Sequence, residues 1–203
     1  MFRCIKANVS AKRNKPNDGI SKNEVRVLKN ATDNKISAKR AATLAVLSTL
    51  GLVSFVVENM LPPLFLPGAK LGLGNAFTLF ALFALGPADG LMVAIVRSVA
   101  GSLIVGNMST LVYSLAAGLV ATSISAVLVQ FVYPSVSVVA VSVCGAVVHN
   151  LVQNVVFCVV SDTPEMYGYM PYLALVGVLS GVIVGVAVWS ILRTLPRKVY
   201  EMS

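Results

Sequence analysis

Charge is scarce in this chain, and acid is scarcest. Of 203 residues only 12% are charged, with 8 Asp or Glu against 16 Lys or Arg. The four aspartates, Asp18, Asp33, Asp89 and Asp162, are scattered, and no D-D-x-x-D run occurs. Mg²⁺-dependent chemistry on a diphosphate needs clustered carboxylates, so the chain is a poor candidate for such an enzyme. The G-x-x-x-x-G-K-[ST] spacing of a phosphate-binding loop is missing too. PGAKLG is the nearest approach to it, and the chain has no ATPase of its own. The lone histidine, His149, has no suitable Ser or Cys partner and carries no triad signal. Three unevenly spaced cysteines, Cys4, Cys144 and Cys158, suggest neither a disulfide framework nor a zinc site. They read as small buried hydrophobes. No catalytic residue, metal or cofactor is expected.

Apolar sequence fills the space that charge leaves. Hydrophobic residues make up 57% of the chain, and the mean hydropathy is +0.83. A soluble domain of this length cannot hide so much apolar surface. A bilayer can, at about 20 apolar residues per crossing helix. The fold class expected is an all-α integral membrane protein.

The net charge of +8 is confined to one end. Residues 1–40 hold eleven basic and three acidic residues, and residues 41–203 hold five of each. Such a distribution says little for nucleic acid and much for membrane orientation. The 1–40 segment is polar and lacks sustained periodicity, so it reads as a disordered or loosely helical cytoplasmic tail. Contact with anionic lipid is the alternative use of its charge.

Six apolar runs follow, at 41–57, 73–85, 88–105, 108–132, 136–160 and 172–192. Proline and glycine punctuate them at Pro62-Pro63, Pro67-Gly68, Gly86-Pro87, Gly106-Asn107, Pro134, Pro164 and Pro171. The expected organisation is a six-span membrane domain over 41–195 between the basic tail and a short tail at 196–203. The basic N-terminal end places that terminus in the cytoplasm, and six crossings return the C-terminus to the same side. Arg193, Arg197 and Lys198 agree with this, as does the acidic SDTPEMYGYMP loop on the outside. A multi-pass protein of the plasma membrane is the expected location. The second run is short, about 20 Å of helix against a core of about 30 Å. The LPPLFLPGAKLGLG stretch before it is apolar yet broken by proline and glycine. Irregular backbone at membrane depth must be buried in protein or line a cavity, so this loop is expected to be re-entrant or lid-like. A plain external loop with a short tilted helix is the simpler alternative.

Polar groups inside the runs carry the functional signal. In AVVHNLVQNVVF, His149, Asn150, Gln153 and Asn154 interrupt eight apolar residues. On a helical wheel Ser142, Ala146, His149 and Gln153 share an arc that Asn150 and Asn154 extend. Val148, Leu151 and Val155 fall opposite. Arg97 lies near the centre of the third run. A central arginine costs at least about 2.5–3.5 kcal/mol on insertion scales, unless a carboxylate, carbonyls, a wet cavity or a ligand meets it. Glu58 is the carboxylate with reach, and Lys70 and Asn75 flank the short second helix. Together these groups predict a binding cavity in the middle and outer half of the bundle. Interhelical hydrogen bonding is the competing use for Asn150 and Asn154. Small residues repeat every four positions at Gly177, Gly181 and Gly185, and at Ser114, Gly118, Thr122 and Ala126. They predict close helix packing within the chain. Ala41, Ala45 and Thr49 form a similar ridge at the cytoplasmic end of the first run, where a partner subunit is the alternative contact.

Four fragments carry a family resemblance: ENMLPPLFLPGAKLGLGN, AIVRS, YSLAAG and GAVVHNLVQN. Over about 50–195 the chain resembles the Gx transporter family, which is also labelled heptaprenyl diphosphate synthase component I. It is also similar to the substrate-capture subunits of energy-coupling-factor vitamin transporters, six-helix membrane proteins. The resemblance implies that Glu58, Lys70, Asn75, Arg97, His149, Asn150 and Gln153 are motif positions that bind substrate. The implied function is a transporter or transporter subunit for a small polar or anionic solute loaded from outside. The implied partner is an ATPase-containing energy-coupling module docked at the first span, near Ala41 and Ala45. The family label implies the alternative, a noncatalytic membrane component of a polyprenyl diphosphate synthase, with Arg97 and Lys70 meeting a diphosphate.

Overall fold

The computed structural model describes residues 22–60, 72–106, 108–133 and 135–194, with side chains from Ala38 onward. Lys70 and residues 61–71 of the expected lid lie outside the described residues, as do 1–21 and 195–203. The chain divides into two units, Met1–Lys39 and Arg40–Ser203. The first contributes a helical stretch from Lys22 onward. All six apolar runs belong to the second.

The described residues are helices joined by short turns, without strands. The helices are α1 (Lys22–Met60), α2 (Leu73–Ala84), α3 (Pro87–Val105), α4 (Met108–Val127), α5 (Val138–Ser161) and α6 (Met170–Thr194). A five-residue π turn, Leu128–Val132, extends α4, and a 3-10 turn, Pro164–Tyr169, precedes α6. Five helical segments are long and apolar enough to cross a membrane: Ala38–Met60, Pro87–Val105, Met108–Val132, Val138–Ser161 and Pro164–Thr194. Leu73–Ala84 is the shorter sixth.

Local chemistry sets the ends. Pro87 opens α3, where its missing N–H costs nothing, and Asp89 in the first turn complements the helix dipole. Gly106, at φ 72°, closes α3 in the left-handed conformation that glycine adopts freely. Ser137 caps α5 by accepting the N–H of Ala140 at 3.1 Å. Asp162 ends α5 with φ 49°, a left-handed state tolerated better by Asp than by branched residues.

The short α2 is the central pillar of the bundle. Leu79, Leu82 and Phe83 of α2 meet Ala126 of α4, Val138 and Val141 of α5, and Val184 and Val188 of α6. On its other side Ala81, Ala84 and the following Leu85 meet Leu47 of α1 and Val93 of α3. Leu82, Leu85, Val93, Val141 and Val188 are each at most 2% exposed. Full burial of each such side chain contributes about 1.5–3 kcal/mol. A helix whose second half is buried by protein need not match the bilayer. Its 12 residues rise only about 18 Å, so it starts deep within a core of about 30 Å.

That start divides the bundle by polarity. Call the end at Gly86, where α2 turns into α3, the near end. Most of the buried hydrophobic side chains lie toward it. The Arg40–Asp89 ion pair closes it, with Nε donating to Oδ2 at 2.8 Å. Toward the far end the buried side chains are polar: Ser98 and Ser102 on α3, Thr110 and Ser114 on α4, and His149 to Asn154 on α5.

Glycine sets the helix spacing. A Cβ on Gly177, Gly181 or Gly185 of α6 would meet the Cα of Val147, Val143 or Val139 of α5 at 2.9, 2.6 and 2.8 Å. The expected ridge therefore packs within the chain. Outside, Leu103, Ile104, Leu175, Leu179 and Ile183 are exposed. Their faces form the contiguous apolar surface that a bilayer covers.

Candidate functional site

The site is built around the first turn of α2. A helix start carries unsatisfied N–H groups and a partial positive charge. Gly72, at φ 72°, turns the chain into this helix. Glu58 of α1 then reaches the backbone N–H of Leu73, which donates to Oε1 at 2.7 Å. A residue 15 positions away in sequence thus performs the capping usually left to the preceding residue.

Arg97 of α3 enters the same region. It is 3% exposed, about 15 Å along α3 from Pro87 by helical rise. Gly74 makes room for it, and Gly51 and Gly118 border it. A Cβ on Gly74 would meet Nη1 at 2.7 Å; one on Gly51 would meet Cδ at 3.5 Å; one on Gly118 would meet Nη2 at 3.8 Å. The guanidinium therefore lies in a cradle cut from α1, α2 and α4. Glu58 interacts with it electrostatically, so one carboxylate serves both the helix start and the arginine. The Nε–H of Arg97 is buried with no hydrogen-bond partner. An uncapped donor on a buried cation is costly, and a ligand or water at this position would satisfy it.

The α5 face divides its labour. Asn150 donates from Nδ2 to the carbonyl of Leu173 at 3.1 Å. Asn154 donates likewise to the carbonyl of Met166 at 3.0 Å. Both amides tie α5 to α6 and the turn before it. His149 and Gln153 are equally buried, and Oε1 of Gln153 has no hydrogen-bond partner. The amphipathic arc is therefore real, with its Asn side spent on structure and Gln153 left an unused acceptor.

A cavity of about 40 Å³ continues the site toward the near end. Asn75 and Thr78 of α2, Thr122 and Ser125 of α4, Ser142 of α5 and Ser180 of α6 supply its polar wall. Leu79, Leu82 and Val184 supply its apolar wall. The cavity and the arginine cradle share two helix faces. Thr78 is one turn from Gly74, and Thr122 is one turn from Gly118. Each step is about 6 Å of rise.

The sequence-expected residues are thus distributed. Glu58 and Arg97 meet at the start of α2, and Asn75 lines the cavity below. His149 and Gln153 lie on the α5 face that carries Ser142 and Ala146 into the same cavity. Asn150 is engaged by Leu173. Ala41 and Ala45 are exposed on α1. Sequence reasoning missed the three-glycine cradle and most of the hydroxyl wall. The available signals were Gly74 inside a helix only 12 residues long and serines and threonines within otherwise apolar spans. Among the described residues no group of three His, Cys, Asp or Glu side chains could hold a metal ion.

Comparison with known proteins adds one finding. No curated protein and no solved structure matches the chain. A family model described as heptaprenyl diphosphate synthase component I matches residues 47–191. That match runs from the buried Leu47 of α1 to Ile191 of α6 and so takes in all six membrane helices and the site between them. The chain belongs to the heptaprenyl diphosphate synthase component I family.

Proposed function

We propose that this protein is a membrane transporter, or the solute-binding subunit of one, for a small polar or anionic solute. The observation that carries the reading is Arg97. Beside Glu58 this buried cation still keeps an Nε–H with no hydrogen-bond partner, a donor that an anionic or polar solute would satisfy. Gln153 of α5 offers an unused acceptor, and His149 stands one turn away on the same helix. Arg97 supplies the charge; His149 and Gln153 supply directional hydrogen bonds. Glu58 balances the guanidinium, and Asn150 holds α5 to α6 beside them. Lys70 is the remaining proposed contact of the solute.

Loading from outside is part of the proposal. With the basic tail in the cytoplasm, the near end of the bundle faces inward and the polar half faces out. The apolar near half then blocks leakage, and transport follows by reorientation. Ala41 and Ala45, exposed at the near end of α1, are the proposed contact of an ATPase-containing energy-coupling module in the plasma membrane.

The family description favours a second reading, a noncatalytic membrane component of a heptaprenyl diphosphate synthase. In that case Arg97 and Lys70 meet a diphosphate, and a separate catalytic partner supplies the carboxylates. Two assays on one preparation separate the readings. Uptake into proteoliposomes that is lost in Arg97→Ala, with normal membrane insertion, supports the transporter. Prenyl diphosphate formation that requires this chain together with a synthase subunit, and no uptake, supports the alternative.

A further inference from the structure

The hydroxyl-walled cavity beneath Arg97 has a chemistry of its own. Its polar wall holds five hydroxyls and one carboxamide from four helices, and no charged side chain. Such a wall discriminates by exclusion. A full charge placed there would be desolvated without a counter-charge. An apolar group would leave buried hydroxyls unpaired. An uncharged group that both donates and accepts suits it. Thr78 is the clearest sign that something is to be met: it is 5% exposed, and its hydroxyl is buried with no hydrogen-bond partner. Gly145 keeps the opposite wall open, since a Cβ there would strike the hydroxyl of Ser125 at 2.6 Å. A volume of about 40 Å³ admits a short group of a few atoms and no ring.

We propose that this cavity is the specificity subsite for an uncharged hydroxyl- or amide-bearing end of a short solute whose anionic end meets Arg97. The proposal rests on the reading of Arg97 as the solute's charge partner and adds the class of the other end. Thr78 and Thr122 each lie one turn from the glycine that borders the guanidinium, about 6 Å by helical rise. The solute is therefore a small acid with its polar group about that far from the anion. Carboxylate and phosphate are equivalent to Arg97, and the hydroxyl wall reads only the other end. A site built to hydrogen-bond a hydroxyl rejects the analogue that lacks it far more strongly than an apolar pocket rejects an extra methylene.

The test uses two probes that differ by one hydroxyl, butyrate and 4-hydroxybutyrate. Each is titrated against the purified full-length protein, with thermal unfolding as readout. The expected result is binding of the hydroxy acid at least about tenfold tighter than butyrate. Thr122→Val and Ser142→Ala should each reduce that preference towards unity. Two variants on different helices guard against a single misfolded one. Equal binding of the two acids to wild type overturns the subsite and leaves the role of Arg97 standing. A preference that survives both substitutions moves it elsewhere and overturns the proposal. Binding of neither acid overturns it as well. Binding that is indifferent to Arg97→Gln overturns the reading beneath it.

Discussion

Gly74 and Arg97 are fitted to one another: a single methyl group on the glycine would lie 2.7 Å from Nη1 of the arginine. The relationship explains why a glycine sits inside the first turn of a helix, where it costs roughly 1 kcal/mol relative to alanine. The missing side chain is the space in which a cation is held at membrane depth.

Gly74→Ala should therefore displace the guanidinium without removing it. Solute uptake is expected to fall about tenfold or more, the effect of a misplaced binding group, while thermal stability changes little or rises. Gly118→Ala is the matched control, because its nearest neighbour would be the Ser98 hydroxyl at 3.4 Å, an ordinary contact. Uptake and unfolding midpoint of the two variants, measured side by side, check the difference.

Glu58 is expected to separate capping from charge. In Glu58→Gln an amide oxygen still accepts the Leu73 N–H, but the negative charge beside Arg97 is gone. In Glu58→Ala both are lost. The alanine variant should be less stable than the glutamine variant by about 1 kcal/mol, the usual value of a helix cap. Thermal unfolding of the two in the same detergent measures it.

The helices were legible in the sequence because hydropathy and breakers report directly on what a bilayer demands of a backbone. All six apolar runs correspond to helices in the second unit, and the shortness of α2 was already written in its 13-residue run. What the run could not say is why it is short. Ala81 and Leu82 look like any apolar residues in a span, and only their neighbours on five other helices make α2 a pillar. The site was legible in part for the same reason. Arg97 stands out by cost and His149 and Gln153 by periodicity, both local properties. The cradle of Gly51, Gly74 and Gly118 depends on three helices meeting. Asn150 and Asn154 share an arc with Gln153, and no wheel shows that carbonyls of Leu173 and Met166 lie within their reach.

The α5–α6 contact makes a stability prediction. Gly181 would place a Cβ 2.6 Å from the Cα of Val143, and that backbone cannot yield as a side chain would. Gly181→Ala should destabilise the bundle by about 1–3 kcal/mol, the usual range for overpacking. Gly106→Ala, where a Cβ meets nothing within 4 Å but φ is 72°, should cost about 1–2 kcal/mol through backbone strain alone. Chemical denaturation in micelles compares them.

Asn150→Leu should cost about 0.6 kcal/mol of stability, the usual value of a hydrogen bond between membrane helices. Gln153→Leu, which removes an acceptor that has no partner in the protein, should cost less stability and more uptake. The reverse ordering would assign the two amides opposite roles to those argued from their geometry.

The most direct measurement is mass spectrometry of small molecules retained by the detergent-purified protein, wild type beside Arg97→Gln, with both preparations equally folded by thermal unfolding. The expected result is a small polar or anionic compound held by wild type and missing from the variant. Retention of the same compounds by both proteins, or of none by either, would contradict a solute-binding role for the buried guanidinium.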